Sequence, residues 1–230
     1  MKIILTLLTI LTSINLIGQT TLTQGDIAFI GMNLDGNDDM VFVLLKDVDA
    51  STTINFTDCG WDDGTSAFVC NAGDANGWTW TSGQNLNIGQ TVTIQLVAPL
   101  MTSIGSVSGS VPVMSLIGDQ IFAYQGSAAS PTFIAGVHSD VPSNNANWSG
   151  GTSNNQTSAL PDVLTNGVNA IRLHDSETEV DNWQYNCAVT NGDVNTVRNA
   201  INNVSNWISD NITAYSPADP NCSWSITLPV

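Results

Sequence analysis

Thr53-Ile54-Asn55-Phe56-Thr57 sets Ile54 and Phe56 against Thr53, Asn55 and Thr57, and Thr91-Val92-Thr93-Ile94-Gln95-Leu96 repeats the alternation with Val92, Ile94 and Leu96 on one side. Successive side chains of an extended chain point to opposite faces, so a period of two marks a half-buried strand. Between these runs, Gly77 to Thr81 places Trp78 and Trp80 on a single face, which predicts that both rings are buried. Leu86 to Gly89 reads as a turn, with Gly89 free to take positive φ.

Working outward, Asp26 to Met32 and Met40 to Lys46 are short apolar runs, as are Gln120 to Tyr124, Thr132 to Val137 and Ala170 to Leu173. Short strands separated by Gly, Asn and Asp turns predict an all-β fold, an antiparallel β-sandwich, and not alternating β and α units. One segment departs from this period. From Asp193, a candidate N-cap, the apolar positions Val194, Val197, Ile201, Val204 and Trp207 recur at spacings of three and four, which predicts one short C-terminal amphipathic helix packed on the sandwich.

Lys2 followed by the apolar run Ile3 to Ile17 and then Gly18 has the layout of a secretory signal peptide. The expected organisation is a signal over 1–18 and a single β-sandwich domain with a C-terminal extension over 19–230. The Asn-, Ser- and Gly-rich stretch from Ser143 to Ser158 is read as a long loop within one folded unit. The apolar run is shorter than the ~20 residues a spanning helix needs, so the expectation is a secreted or cell-surface protein without membrane insertion.

The chain carries 20 Asp plus Glu against 4 Lys plus Arg. With Lys2 in the signal, the basic residues left are Lys46, Arg172 and Arg198. Nucleic-acid binding rests on Lys and Arg neutralising phosphates, so nucleic acid and anionic lipid surfaces are excluded as partners. The 42% hydrophobic content, with 7 Trp, supplies a core that a disordered acidic chain lacks. Cys59, Cys70, Cys187 and Cys222 are an even set in an exported chain, which predicts disulfides. Of the three pairings, Cys59 with Cys70 and Cys187 with Cys222 is favoured because each joins segments close in sequence.

A resemblance rests on Gly25-Asp26-Ile27-Ala28-Phe29-Ile30-Gly31-Met32-Asn33, the turn Asp35-Gly36-Asn37-Asp38, and the strands Phe42-Val43-Leu44-Leu45 and Thr53-Ile54-Asn55-Phe56-Thr57-Asp58. It continues through Gly118-Asp119-Gln120-Ile121-Phe122-Ala123-Tyr124-Gln125-Gly126 and Pro131-Thr132-Phe133-Ile134-Ala135-Gly136. This order resembles an extracellular module of bacterial secreted proteins and is similar to lamin-tail-like domains. That resemblance implies an immunoglobulin-like sandwich serving as an accessory or interaction module, and it brings no catalytic residues. The helix and the Cys187 to Cys222 region lie outside the lamin-tail pattern.

Asp35, Asn37 and Asp39 alternate as oxygen ligands do at the start of a calcium loop. Met40 stands where that frame has Gly, and no Glu closes it, so an ordinary turn joining two strands is the competing reading. Calcium is thus the one cofactor the sequence raises, with Asp58, Asp62 and Asp63 as further ligands if two turns meet. Exposed aromatic faces stack on sugars, and Trp148, among Asn147, Ser149 and Gly150, is the foremost ligand-binding ring, with Trp61 the second.

Enzyme chemistry fares worse. No Gly-x-Ser-x-Gly elbow occurs, the bases are His138 and His174 alone, and Glu177 and Glu179 sit together in one acidic stretch. The sequence therefore predicts a non-catalytic extracellular surface, adhesion or structural module with a protein or glycan partner. A carbohydrate-binding module is the alternative, and a secreted hydrolase ranks third.

Overall fold

The structure, a computed structural model, describes residues 18–70, 77–115, 118–139, 148, 158–174 and 180–228. Residues 1–17, the Ser143 to Ser158 stretch apart from Trp148 and Ser158, and Asp175, Glu177 and Glu179 lie outside the described residues, so the expected signal and long loop fall there. In chain order the strands are β1 (Ile27–Asn33), β2 (Asp39–Leu44), β3 (Thr53–Thr57), β4 (Gly60–Asp62), β5 (Ala67–Val69), β6 (Trp78–Thr81), β7 (Thr91–Gln95) and β8 (Met101–Thr102). They continue as β9 (Ser106–Gly109), β10 (Gln120–Ser127), β11 (Ser130–His138), β12 (Ala170–Arg172), β13 (Asn182–Tyr185), β14 (Asn191–Asp193), β15 (Trp207–Asp210) and β16 (Ser225–Thr227). The single α-helix among the described residues, α1 (Val194–Ile201), follows β14.

Two six-stranded sheets pack face to face as an all-β sandwich. The first has the order β15-β13-β1-β2-β7-β8 and the second β12-β11-β10-β3-β6-β9. Pairing is antiparallel within both except between β11 and β12. The period of two acts as the sequence requires. Ile54 and Phe56 pair across strands with Trp80 and Trp78, and all four are at most 1% exposed. Phe56 stacks on Trp78 at 5.9 Å and reaches Phe42 of the opposite sheet at 5.5 Å, so aromatic side chains fill the space between the layers. The strands that follow the Ser143 to Ser158 stretch complete both sheets: β12 extends the second, and β13 and β15 extend the first. The C-terminal part is therefore integral to the sandwich.

Each outer face carries a cover. On the second sheet, Ile121 and Ala123 enter the inter-sheet core, while Phe122 joins a separate cluster with Trp61, Tyr124, Phe133 and Leu164. Alternation puts that cluster on the opposite face, beneath the β4–β5 hairpin, whose Phe68 rests against Phe122 and Phe133. The disulfide Cys59–Cys70 closes the base of this hairpin.

On the first sheet the cover is a strap running over residues 215–219. Gln184 Nε2 donates to the carbonyls of Pro217 and Ala218 at 3.0 Å each, and Thr91 Oγ1 donates to Asp219 at 2.9 Å. Gly31 admits the strap because a Cβ there would lie 2.4 Å from the Ala218 carbonyl oxygen. The disulfide Cys187–Cys222 fastens the strap's far end.

The helix is shorter than the apolar spacing predicts. It has the expected cap, with Asp193 accepting from the N–H groups of Asn195 and Thr196, but it stops at Ile201. Asn203 then caps a separate 3-10 turn containing Val204. Trp207 opens β15, and its indole donates to the Ile201 carbonyl at 2.7 Å. No helix among the described residues is long and apolar enough to cross a membrane.

Candidate functional site

The acidic turn between β1 and β2 ends a polar row across the outer face of the first sheet. Cross-strand pairing places Asp210, Asn182, Asn33, Asp39 and Gln95 side by side. Asn33 Nδ2 donates to Asp39 Oδ1 at 2.9 Å, and Asn182 Nδ2 donates to Asp35 Oδ2 at 3.3 Å. Gly36, with φ of 87°, makes the reversal, and Asn37 is exposed at its tip.

Burial raises the Asp38 carboxyl to about 6, with the Asp35 charge adding to the effect. Burial also raises Asp39 to about 7, opposed by the Asn33 hydrogen bond and reinforced by Asp38. Of the three predicted metal ligands, then, Asp35 and Asp39 are each bonded to a neighbouring amide, while Asn37 faces solvent. No group of three Asp, Glu, His or Cys side chains among the described residues is arranged to hold a metal ion. Asp62 spends its carboxylate on its own hairpin turn, accepting from the Gly64 N–H and Thr65 Oγ1.

The two predicted ligand-binding tryptophans are partners of the second-sheet cluster. Trp61 is only 8% exposed, edge-on to Phe68 at 5.3 Å and to Phe133 at 5.0 Å. The expectation of an open ring there is corrected, because the hairpin that carries Trp61 folds onto the sheet and buries it. Trp148 is half-buried, against Phe122 at 5.8 Å and His138 at 4.9 Å, with its indole N–H directed to Asn166 Oδ1.

Trp78, Trp80, Trp183 and Trp207 are buried. The sequence reading passed over Trp224, the other half-buried tryptophan. It stacks on Tyr185 at 6.1 Å and, with Asn87, Gln90 and Thr91, lines a surface depression of about 330 Å³. Its proximity to Cys222 was the available signal, since a residue two positions from a disulfide is held against the fold.

The histidines do not present a base to solvent. His138 and His174 are 4% and 3% exposed. Burial holds His138 down to about 3, with the charges of Arg172 and His174 pushing the same way. Neither ring nitrogen of His138 has a hydrogen-bond partner among the described residues. His174 sits edge-on to Trp183 at 5.3 Å. In comparisons with protein-family models, curated proteins and solved structures, none matches this chain.

Proposed function

We propose that the chain is a non-catalytic extracellular module of surface, adhesion or structural type, comparable to lamin-tail-like domains, that meets an extracellular protein or glycan. The observation that carries this reading is the pair of disulfide-anchored segments packed on the outer sheet faces, the Cys59–Cys70 hairpin and the Cys187–Cys222 strap. Such a body suits an oxidising compartment, where cross-links persist, and leaves turns and edges to make contacts. The test incubates the purified, oxidised protein with a panel of polysaccharide and ester substrates. No turnover is expected; turnover abolished by a single Asp substitution would overturn the reading.

A glycan partner is favoured over a protein by Trp148 and Trp224, the two half-buried tryptophans, each beside asparagine side chains. On a glycan array, binding lost in Trp148→Ala or Trp224→Ala would support it. A blank array would favour a purely structural role.

A further inference from the structure

One lateral side of the sandwich is built without charge. There the first sheet ends in β7 and β8 and the second in β6 and β9, and β8 lies against β9. All four strands fall between Ala75 and Gly118, a stretch that contains no Asp, Glu, Lys, Arg or His. The 20 Asp plus Glu that give the chain its net charge of −16 lie elsewhere in the sequence.

β9 is the outermost strand of the second sheet, and no described strand pairs with its far side. The register decides which of its main-chain groups face outward. The Ser110 N–H donates to the Gly77 carbonyl at 3.1 Å, and Ser108 and Ser106 stand opposite Thr79 and Thr81. Bonded and unbonded positions alternate in an antiparallel pair, so Ser106, Ser108 and Ser110 direct their N–H and C=O groups at β6. Those of Val107 and Gly109 point away from the sheet. Ser106, Ser108 and Gly109 are exposed, while the Val107 side chain packs on the inter-sheet core. Natural edge strands are commonly protected by a charge or a proline, and β9 has neither.

The charge distribution selects the occupant. A basic partner gains Coulomb energy on the acidic faces and none on this side. Two copies of the chain repel each other through those same faces, and least where β9 meets β9. The strand also complements itself. About a two-fold axis through Ser108, an antiparallel copy sets the outward N–H and C=O groups of Val107 against those of the copy's Gly109, and Ser108 faces its own counterpart. Met101 in the adjoining β8, 49% exposed, adds apolar surface on the same side.

We propose that β9 pairs antiparallel with β9 of a second copy, so that two sandwiches join edge to edge as a homodimer. The assembly leaves the Cys59–Cys70 hairpin and the Cys187–Cys222 strap on the outer faces, clear of the paired edge.

The experiment is sedimentation equilibrium of the oxidised protein over a concentration series, at about 0.1 M and about 1 M sodium chloride. A reversible monomer–dimer equilibrium is expected, tighter at the higher salt, where the screening length falls from about 10 Å to about 3 Å. Ser108→Glu sets two carboxylates opposite each other across the axis and should weaken the dimer about tenfold at the lower salt. Thr213→Glu makes the same change of charge at an exposed position beyond β15, on the opposite edge of the first sheet, and should leave the dimer nearly unchanged. Far-ultraviolet spectra and melting curves establish that each variant is folded. Should Ser108→Glu fail to fold, Ser106→Glu tests the same pairing.

A monomer at every concentration in both salts would overturn the assignment. So would a dimer indifferent to the glutamate in β9, one weakened equally by Thr213→Glu, or one that loosens as salt rises. Each of these results leaves the non-catalytic reading standing.

Discussion

The side-chain amide of Asn33 pairs with the main chain of Tyr215 as a neighbouring strand would: Nδ2 donates to the Tyr215 carbonyl at 2.8 Å, and Oδ1 accepts from its N–H at 3.0 Å. The same Nδ2 reaches Asp39, so one buried amide ties the strap, β1 and β2 together. Asn33→Ala removes these bonds and leaves main-chain groups of Tyr215 and the Asp39 carboxylate unpaired. A loss of about 2–3 kcal/mol in urea unfolding is expected, with an unchanged m-value. Asn33→Asp should be nearly as costly, because it sets a second carboxylate against Asp39.

That relationship marks the boundary of what the chain's local pattern conveys. The alternation in Thr53–Thr57 and Thr91–Gln95 follows from burial of one face, a property each segment carries by itself, and both strands form over those residues. The strap depends on contacts 182 positions apart, and Asn33 reads locally as nothing more than a polar strand end. Trp207 continues the three-and-four spacing of α1, yet Asn202 and Asn203 end the helix by local side-chain bonding, and the ring serves β15. The burial of Trp61 is not legible in its own segment, because it requires a second apolar layer built by Phe122 and Phe133, far away in sequence. At the acidic turn, the composition of Asp35 to Asp39 was legible, whereas the amides of Asn33 and Asn182 that bond it come from strand pairing.

The acidic turn gives stability a pH dependence of definite sign. Asp38 and Asp39 bind protons more tightly folded than unfolded, with carboxyls near 6 and 7 against an ordinary 3.8. Their contribution is therefore fully present below about pH 4 and is lost as pH rises through 6 and 7. The melting temperature should fall between pH 5 and pH 8, to a smaller degree in Asp39→Asn. The exposed Asp162→Asn serves as control for the change in net charge. Calcium held by these carboxylates would lower both values and abolish the slope, so melting at pH 7.5 with calcium and with chelator completes the measurement.

The two disulfides should differ in worth. Cys187–Cys222 spans 35 positions and Cys59–Cys70 spans 11. In the chain-entropy account the first stabilises by about 4 kcal/mol and the second by about 3. Cys187→Ala with Cys222→Ala should therefore lower stability more than the other double replacement. It should also expose the strap, which limited proteolysis near residues 215–219 would register.

Phe68 is the plug of the outer aromatic layer. Its ring meets Trp61 at 5.3 Å, Tyr124 at 5.4 Å, Phe133 at 5.6 Å and Phe122 at 6.1 Å, so one half-buried side chain bridges the hairpin to both long strands β10 and β11. Full burial of Phe makes truncation to Ala cost about 3–5 kcal/mol; partial exposure puts Phe68→Ala nearer about 2–3. The Cys59–Cys70 cross-link still holds the hairpin's base, so the expected damage is local: Trp61 becomes accessible to acrylamide while Trp78 and Trp80, between the sheets, stay protected. A variant that lost tryptophan protection throughout would mean that the outer layer and the inter-sheet core unfold as one unit, contrary to their separation by the second sheet.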